Sequence, residues 1–145
     1  MKISKNQRSR RLKGFTVYNQ CTVKPEKKLY HLFKKNCPDL LITPLEVWNN
    51  LGVPDLLLYN KNVGFFMVEL KIQNGNKIKF SPHQILFHTL RTKRNYILVQ
   101  ALRAPLSPVK LYGSESIKDL LENPDRATPL AVDEWQAINN IFLKK

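Results

Sequence analysis

The fold of this chain is decided by residues 53–72, which read VPDLLLYNKNVGFFMVELKI. Two apolar runs, Val53–Tyr59 and Phe65–Ile72, flank a turn through residues 60–64, and this pattern predicts a β-hairpin. Each run contains one carboxylate, Asp55 in the first and Glu69 in the second. An unpaired carboxylate is costly to bury among apolar side chains. Both acids are therefore candidates for a functional role.

The register of the hairpin follows from the position of its turn. If the turn centres on Asn62, Tyr59 faces Phe65 and Asp55 faces Glu69. Directly opposed residues project from the same face, with Cβ atoms about 4.5–5.5 Å apart. A slip of one residue would move one of the two carboxylates to the other face.

A lysine completes this predicted group. The strand period of two places Lys71 on the same face as Glu69. Two carboxylates held close together repel each other unless a positive charge lies between them. A hard cation such as Mg²⁺, which takes one or two carboxylates plus water and phosphate oxygens, fits that need. A salt bridge from Lys71 to one acid is the purely structural alternative.

The combination of Pro54-Asp55 with Glu69-x-Lys71 resembles the motif of the PD-(D/E)xK nuclease superfamily. Three segments are similar, in order, to motifs of the virus-type replication–repair nuclease (VRR-Nuc) family and of the RecU-type Holliday junction resolvases. They are GVPDLL from residue 52, FMVELK from residue 66 and FSPHQ from residue 80. The resemblance covers residues 46–99. It implies an α/β, restriction-endonuclease-like core with a mixed central sheet of four or five strands flanked by helices, in the order α-β-β-β-α-β.

The resemblance also implies roles for individual residues. Asp55 and Glu69 would hold Mg²⁺ or Mn²⁺, together with the main-chain carbonyl of Leu70. Lys71 would orient or deprotonate the attacking water and stabilise negative charge that develops on the phosphate. Such an ion acidifies a bound water and polarises phosphoryl oxygens.

A second helix has a clear predicted start. Ser81 is a good N-cap, Pro82 suits the first turn, and Gln84 completes a capping box, with the helix extending to about Thr92. The resemblance places Gln84 in the active site, beside Lys71. The capping-box role is the structural alternative, and an amide at this position could serve both.

Two glutamates are candidates for one further carboxylate that many relatives supply. Glu46 lies in the first predicted strand, residues 40–47, and Glu26 lies in the first predicted helix, from Pro25 to near Asn36. For Glu26 the alternative role is to complement the dipole at its helix start.

The distribution of charge predicts a polyanionic partner. Residues 1–110 contain 20 of the 24 Lys and Arg residues but only five of the 11 Asp and Glu residues. The net charge of +13 indicates nucleic acid as the simplest partner. Residues 1–13 are predicted to form a flexible basic arm, in which Arg8, Arg10 and Arg11 would contact phosphates. A solubilising tail is the alternative.

Cationic side chains around the second helix are further candidates for phosphate contact, with a solvated face as the alternative. They are Lys77, Lys79, His83, Arg91, Lys93 and Arg94. The structural alternative for His83 is a partly exposed histidine at a helix start, with no role in binding. His88 follows Gln84 by one turn and is expected to continue that helix face toward the substrate.

Length and composition bound the remaining organisation. Residues 14–145 are predicted to form one nuclease domain, with the motif core at 46–99 and a C-terminal helical region at 114–145. No apolar run approaches the roughly 18–20 residues that span a bilayer, so no membrane partner is expected. Cys21 and Cys37 are expected to be free thiols in a reducing compartment, the cytoplasm of a bacterial or phage-infected cell.

Together these patterns predict a Mg²⁺- or Mn²⁺-dependent endodeoxyribonuclease. The chain holds no obvious base-reading module, which favours recognition of DNA by shape, as in a Holliday junction or other branched DNA. A four-way junction has two-fold symmetry, which favours a homodimer. A sequence-specific homing or restriction-type endonuclease is one alternative, and a non-catalytic basic DNA-binding protein on the same fold is another.

Overall fold

A computed structural model describes residues 23–46, 51–102 and 108–143 of the chain. Within these ranges lie four α-helices, one short 3-10 turn at Ser114–Ser116 and seven strands. The helices are α1 (Pro25–Asn36), α2 (Pro82–Leu90), α3 (Ile117–Glu122) and α4 (Trp135–Leu143). The strands are β1 (Leu41–Pro44), β2 (Leu56–Asn60), β3 (Gly64–Asn74), β4 (Lys77–Ile78), β5 (Asn95–Ala101), β6 (Val109–Gly113) and β7 (Ala131–Val132).

All the described strands belong to one mixed sheet. Its order is β1-β2-β3-β5-β6-β7, and β4 pairs with the end of β3. The pair β3–β5 is parallel and the other pairs are antiparallel. Parallel neighbours need a crossover connection, which α2 supplies. The α/β class is confirmed, whereas the predicted count of four or five strands is wrong. The described residues add two strands of two residues each, β4 and β7, which are too short for a periodic sequence signal.

The hairpin of β2 and β3 has the predicted register. Tyr59 pairs with Phe65 and Leu56 pairs with Val68, so the turn centres on residue 62. The first strand of this hairpin, β2, begins at Leu56 rather than at the predicted Val53. Pro54 has no N–H to donate to a ladder, and the paired region stops just after it.

Helices cover both faces of the sheet. On one face, α1 and α4 bury their apolar stripes against alternate residues of β2 and β3. This larger core contains Leu29, Phe33, Leu56, Leu58, Phe66, Val68, Leu70, Ile138 and Phe142. On the other face, α3 packs over β5 and β6 in a smaller cluster, formed by Ile97, Val99, Tyr112, Ile117 and Leu120. The predicted flanking of the sheet by helices is confirmed.

Helix α1 has the predicted bounds. Pro25 is its first residue, and its missing N–H is one that no helix can pair. Leu29 and Phe33, four residues apart, are fully buried on the face that meets the sheet. Cys37, at the C-terminal end of the helix, is a buried free thiol whose pKa is raised to about 12 by burial. Cys21 lies outside the described residues.

Gly52 lies against the first turn of α2. Its φ is +72°, and a Cβ added to it would approach the main-chain carbon of His83 to 2.2 Å. The segment before Pro54 can therefore press directly on the start of α2 only because residue 52 has no side chain. This contact brings Asp55 and the first turn of α2 to the same part of the sheet.

Replacement of Gly52 by alanine is expected to lower the free energy of unfolding by about 2 kcal/mol, through positive-φ strain plus overpacking against α2. Urea denaturation, monitored by circular dichroism, measures this change in the free energy of unfolding. Gly75→Ala is the matched control, since Gly75 also has a positive φ, +60°, but an added Cβ would have no neighbour within 4 Å. That control should lose only about 1 kcal/mol. Equal losses in the two variants would contradict the proposed contact.

Within the described ranges, every helix is too short or too polar to cross a lipid bilayer.

Candidate active site

Three predicted side chains meet directly on the face of the sheet next to α2. Lys71 and Glu69 project from the same face of β3, and the Lys71 ammonium lies 3.1 Å from Glu69 Oε1. Lys71 Nζ also donates to Gln84 Oε1 at 3.0 Å. Gln84 Nε2 donates to Glu69 Oε1 at 2.5 Å. Ammonium, carboxylate and amide thus form a closed triangle of contacts.

Asp55 joins this group from the residue just before β2. Its Oδ2 accepts a hydrogen bond of 2.8 Å from the main-chain N–H of Leu70. The N–H and C=O of one strand residue point to the same side of the strand. The Leu70 carbonyl therefore faces the Asp55 side, where the ladder to β2 has ended. We call Asp55, Glu69, Lys71 and Gln84 the polar cluster.

Gln84 makes both of the contacts that its sequence position predicts. Its main-chain N–H donates to Ser81 Oγ at 3.2 Å, and its side-chain Oε1 accepts from the Ser81 N–H at 3.0 Å. This reciprocal pair is a complete capping box. The same Oε1 accepts from Lys71, so the N-terminal turn of α2 and the polar cluster share one oxygen atom.

Lys71 is held in a buried and fully specified position. It is 8% exposed, and its ammonium lies 5.1 Å from the centre of the Phe80 ring, a cation–π contact. A lysine ammonium has three N–H donors. Glu69 and Gln84 take two of them, which leaves one for a ligand. Phe80 was not singled out from the sequence, although it begins the FSPHQ segment.

Burial raises the pKa values of both carboxyl groups. The pKa of Glu69 rises from 4.5 to about 7, first through burial and then through the charge of Asp55, against the opposing effect of Lys71. Burial also raises the pKa of Asp55, while the Leu70 N–H and the Lys71 charge lower it. The fold thus holds both carboxyl groups where their charged forms are disfavoured, even with Lys71 beside them.

The donor set fits a hard divalent cation. Among the described residues, Glu69 Oε2 is a buried oxygen atom with no hydrogen-bond partner, and such an orphaned acceptor is costly unless something binds it. No group of three or more His, Cys, Asp and Glu side chains within the described ranges is arranged to hold an ion. The pair Asp55 and Glu69 would therefore rely on the Leu70 carbonyl, water and ligand oxygens, which is the way Mg²⁺ is usually bound.

The two tentative glutamates differ in position. The charge of Glu26 contributes to the raised pKa of Glu69, and Glu26 lines a groove together with Lys71. Glu46 is exposed just after β1, and its charge is not among the causes of the raised pKa of Glu69. Its neighbour Leu45 donates to the main-chain oxygen of Asp55 at 2.7 Å. Of the two candidates, Glu26 is the one that the structure brings to the cluster.

The groove beside the cluster is lined by predicted phosphate-binding residues. It has a volume of about 310 Å³, and Lys77 and Lys79 lie along it with Lys71 and Glu26. Both of these lysines are exposed, on and just after β4. The groove thus brings the side chains of Lys71, Lys77 and Lys79 together beside the cluster.

The other predicted cations lie at the two ends of α2. His83 is exposed in the first turn. Arg91, Lys93 and Arg94 are exposed beyond the last turn, and the Arg91 guanidinium lies 4.7 Å from the centre of the Phe87 ring. The predicted arm, with Arg8, Arg10 and Arg11, lies outside the described residues.

The expectation for His88 is wrong. Its ring is fully buried, and Nδ1 shares a hydrogen bond of 2.6 Å with Ser114 Oγ. Burial lowers its pKa to about 4, so the ring is neutral. Residues 84 and 88 do lie on one face of α2. That face is half-buried at Gln84 and fully buried at His88, so it does not continue toward a substrate. His88 is thus an anchor of α2 on the corner after β6, and no local sequence signal reveals Ser114 as its partner.

Comparison of the chain with protein-family models and with curated proteins finds no match.

Proposed function

We propose that this protein is a Mg²⁺- or Mn²⁺-dependent endodeoxyribonuclease with a PD-(D/E)xK-type active site on a restriction-endonuclease-like fold. One observation carries the proposal. Two carboxyl groups with raised pKa values, a buried ammonium and an amide meet at one place, and one buried carboxylate oxygen there has no partner among the described residues. Perturbed groups brought together in this way are typical of active sites.

Asp55, Glu69 and the Leu70 carbonyl are the residues that would hold the metal ion, with Glu26 close enough to add charge. A divalent ion bound there would polarise a phosphoryl oxygen and acidify a water molecule. Because metal ligands must be deprotonated, ion binding competes with protons for Glu69. We therefore expect binding to strengthen as the pH rises through about 7, the pKa of that carboxyl group without the ion.

Lys71 would act on the phosphate and the attacking water. Glu69 and Gln84 fix the ammonium in place, so its third N–H has a defined direction. That N–H can donate to a phosphate oxygen as negative charge develops on it, or it can orient the attacking water. Preorganised donors of this kind need no rearrangement during the reaction.

The charge around the cluster supports DNA as the substrate. Lys71, Lys77 and Lys79 line one groove, which suits a phosphate backbone lying beside the proposed metal ligands. Arg91, Lys93 and Arg94 add exposed positive charge just after the C-terminal end of α2. Phosphate contacts position DNA but do not read its sequence.

The target that these features favour is branched DNA such as a Holliday junction, cut by a homodimer. A two-fold-symmetric junction presents two equivalent strands, and a dimer presents two equivalent sites. The expected setting is the cytoplasm of a bacterial or phage-infected cell. A sequence-specific endonuclease with the same chemistry would instead prefer particular duplex sequences.

The test is direct incubation of the purified protein with labelled DNA. An immobile four-way junction, a flap and a random linear duplex are each incubated with Mg²⁺, with Mn²⁺ or with a chelator. We expect cleavage of a branched substrate with either ion and no cleavage with the chelator. Cutting confined to specific duplex sequences would support the sequence-specific alternative. Tight binding without cleavage under every condition would refute the proposed function and support a non-catalytic DNA-binding protein.

A further inference from the structure

Three exposed apolar side chains form a row across the sheet. Leu41 of β1 pairs with Tyr59 of β2, and Tyr59 pairs with Phe65 of β3. Their exposed fractions are 65%, 37% and 60%. The two aromatic rings touch, with centroids 4.9 Å apart and planes inclined at 49°. We call these three residues the apolar row.

The apolar row lies on the same face of the sheet as the polar cluster. Side chains alternate between faces along a strand, and Phe65, Met67 and Glu69 follow each other at intervals of two on β3. The intervening Phe66 and Val68 are buried on the opposite face, against α1 and α4. Four residues of strand separate Phe65 from Glu69, which corresponds to about 13 Å. The half-buried side chains of Met67 and its partner Leu57 lie between Phe65 and Glu69 on this face.

Cations flank the row. A Cβ added to Gly64, the residue before Phe65, would lie 3.2 Å from a terminal nitrogen of Arg94, so this guanidinium passes beside the row. Lys61, in the turn between β2 and β3, lines a groove of about 510 Å³ with Leu41 and Tyr59. The same groove also holds one carboxylate, Asp39.

We propose that the apolar row is a stacking platform for unpaired nucleobases, which binds a single-stranded segment of the DNA a few nucleotides from the cleavage site. Aromatic side chains on an open sheet face, with cations beside them, match the two components of single-stranded nucleic acid, flat bases and phosphates. In an intact duplex the base faces are already stacked on each other. The platform therefore favours branched DNA that carries an unpaired stretch next to the cut, such as a flap or a junction whose bases are unpaired at the branch point.

A protein partner is the competing occupant, in particular a second copy of this chain. The neighbouring cations favour the nucleic acid, because Lys61 and Arg94 add positive charge beside the row while a second copy would bring the same charges against them. The position of the row also favours DNA, since it shares a sheet face with the proposed metal ligands.

The test measures binding without cleavage. A short fluorescein-labelled oligothymidylate is titrated with the full chain in the presence of a chelator, and fluorescence anisotropy gives the dissociation constant. The Tyr59→Ala/Phe65→Ala variant is expected to bind about tenfold or more weakly than wild type. The Tyr59→Phe/Phe65→Tyr variant keeps both rings and is expected to retain wild-type affinity. Affinity for a blunt duplex is expected to be unchanged in both variants.

A second ligand shows whether bases are the groups that bind. In an oligonucleotide whose central residues are abasic, the phosphates remain and the bases are absent. Wild type is expected to bind this ligand about as weakly as the Tyr59→Ala/Phe65→Ala variant binds oligothymidylate, and that variant should not distinguish the two ligands. The matched control is Leu86→Ala/Leu90→Ala, which removes exposed apolar groups from α2, 55% and 67% exposed, without touching the row. It should bind oligothymidylate like wild type.

The proposal is overturned if Tyr59→Ala/Phe65→Ala binds oligothymidylate as tightly as wild type. A loss of oligomer in sedimentation velocity with unchanged oligonucleotide affinity would also overturn it and identify the row as a protein interface. The inference rests on the proposed function for its choice of DNA, yet the two fail separately. A protein that binds through the row but never cuts DNA would refute only the nuclease, and one that cuts DNA with no contribution from the row would refute only the platform.

Discussion

Replacement of Lys71 by alanine is expected to lower the rate of DNA cleavage by about a thousandfold or more, while DNA binding persists. The expectation follows from the contacts of its ammonium, which Glu69 and Gln84 hold at 3.1 Å and 3.0 Å beside the proposed metal ligands. Loss of one preorganised donor or acid–base group typically costs about a hundred- to ten-thousandfold. Single-turnover cleavage of a labelled four-way junction in Mn²⁺ measures the effect, and anisotropy in a chelator measures binding.

Lys118→Ala is the matched control for charge. Lys118 is exposed on α3, in the acidic C-terminal part of the chain. Its removal also takes away one positive charge but should leave the cleavage rate unchanged. Circular dichroism verifies that the Lys71→Ala protein is folded. Cleavage by Lys71→Ala at the wild-type rate would remove Lys71 from the mechanism.

Replacement of Glu69 by glutamine is expected to abolish metal-dependent cleavage and to stabilise the metal-free protein at high pH. The pKa of Glu69 is raised in the folded state from 4.5 to about 7. Protonation therefore stabilises the folded protein below pH 4.5, and this contribution is lost as the pH rises to about 7. The difference corresponds to about 3 kcal/mol for this fully buried group. The Glu69→Gln protein lacks this loss and should be more stable than wild type at pH 8.

Urea denaturation in a chelator at several pH values between 4.5 and 8 measures this effect. Wild type should lose stability across that interval, whereas Glu69→Gln should show a flatter profile, with a residual slope from Asp55, whose pKa is also raised. Added Mn²⁺ should raise the melting temperature of wild type at pH 8 but not that of Glu69→Gln. Glu122→Gln, an exposed substitution, should behave like wild type. The same pH slope in wild type and Glu69→Gln would contradict the raised pKa of this buried carboxyl group.

Much of the site could be predicted because its signals are local. The bounds of α1 follow from proline at the first turn and from the spacing of Leu29 and Phe33. The register of the hairpin follows from the turn position alone. The capping box at Ser81 and Gln84 marks the start of α2 within one residue. Each of these features depends on residues close together in the chain, and the structure confirms all three.

The features that could not be predicted depend on distant parts of the chain. His88 is buried where the 3-10 turn after β6 brings Ser114 against it, across 26 positions of sequence. Glu26 rather than Glu46 approaches Glu69 because of how α1 packs against β3, which the strand pattern does not encode. The fragments β4 and β7 have only two residues each, and their pairing with longer strands defines them. Tertiary packing, and not local preference, decides these positions.

The shared oxygen of Gln84 couples the formation of the first turn of α2 to the orientation of the Lys71 ammonium. Unravelling of the first helical turn would withdraw the acceptor that fixes the ammonium, and Glu69 would lose a donor in the same event. A partly frayed molecule therefore keeps neither its orienting amide nor its aligned lysine. The proposed active site is therefore complete only when the first turn of α2, with its capping box, is formed.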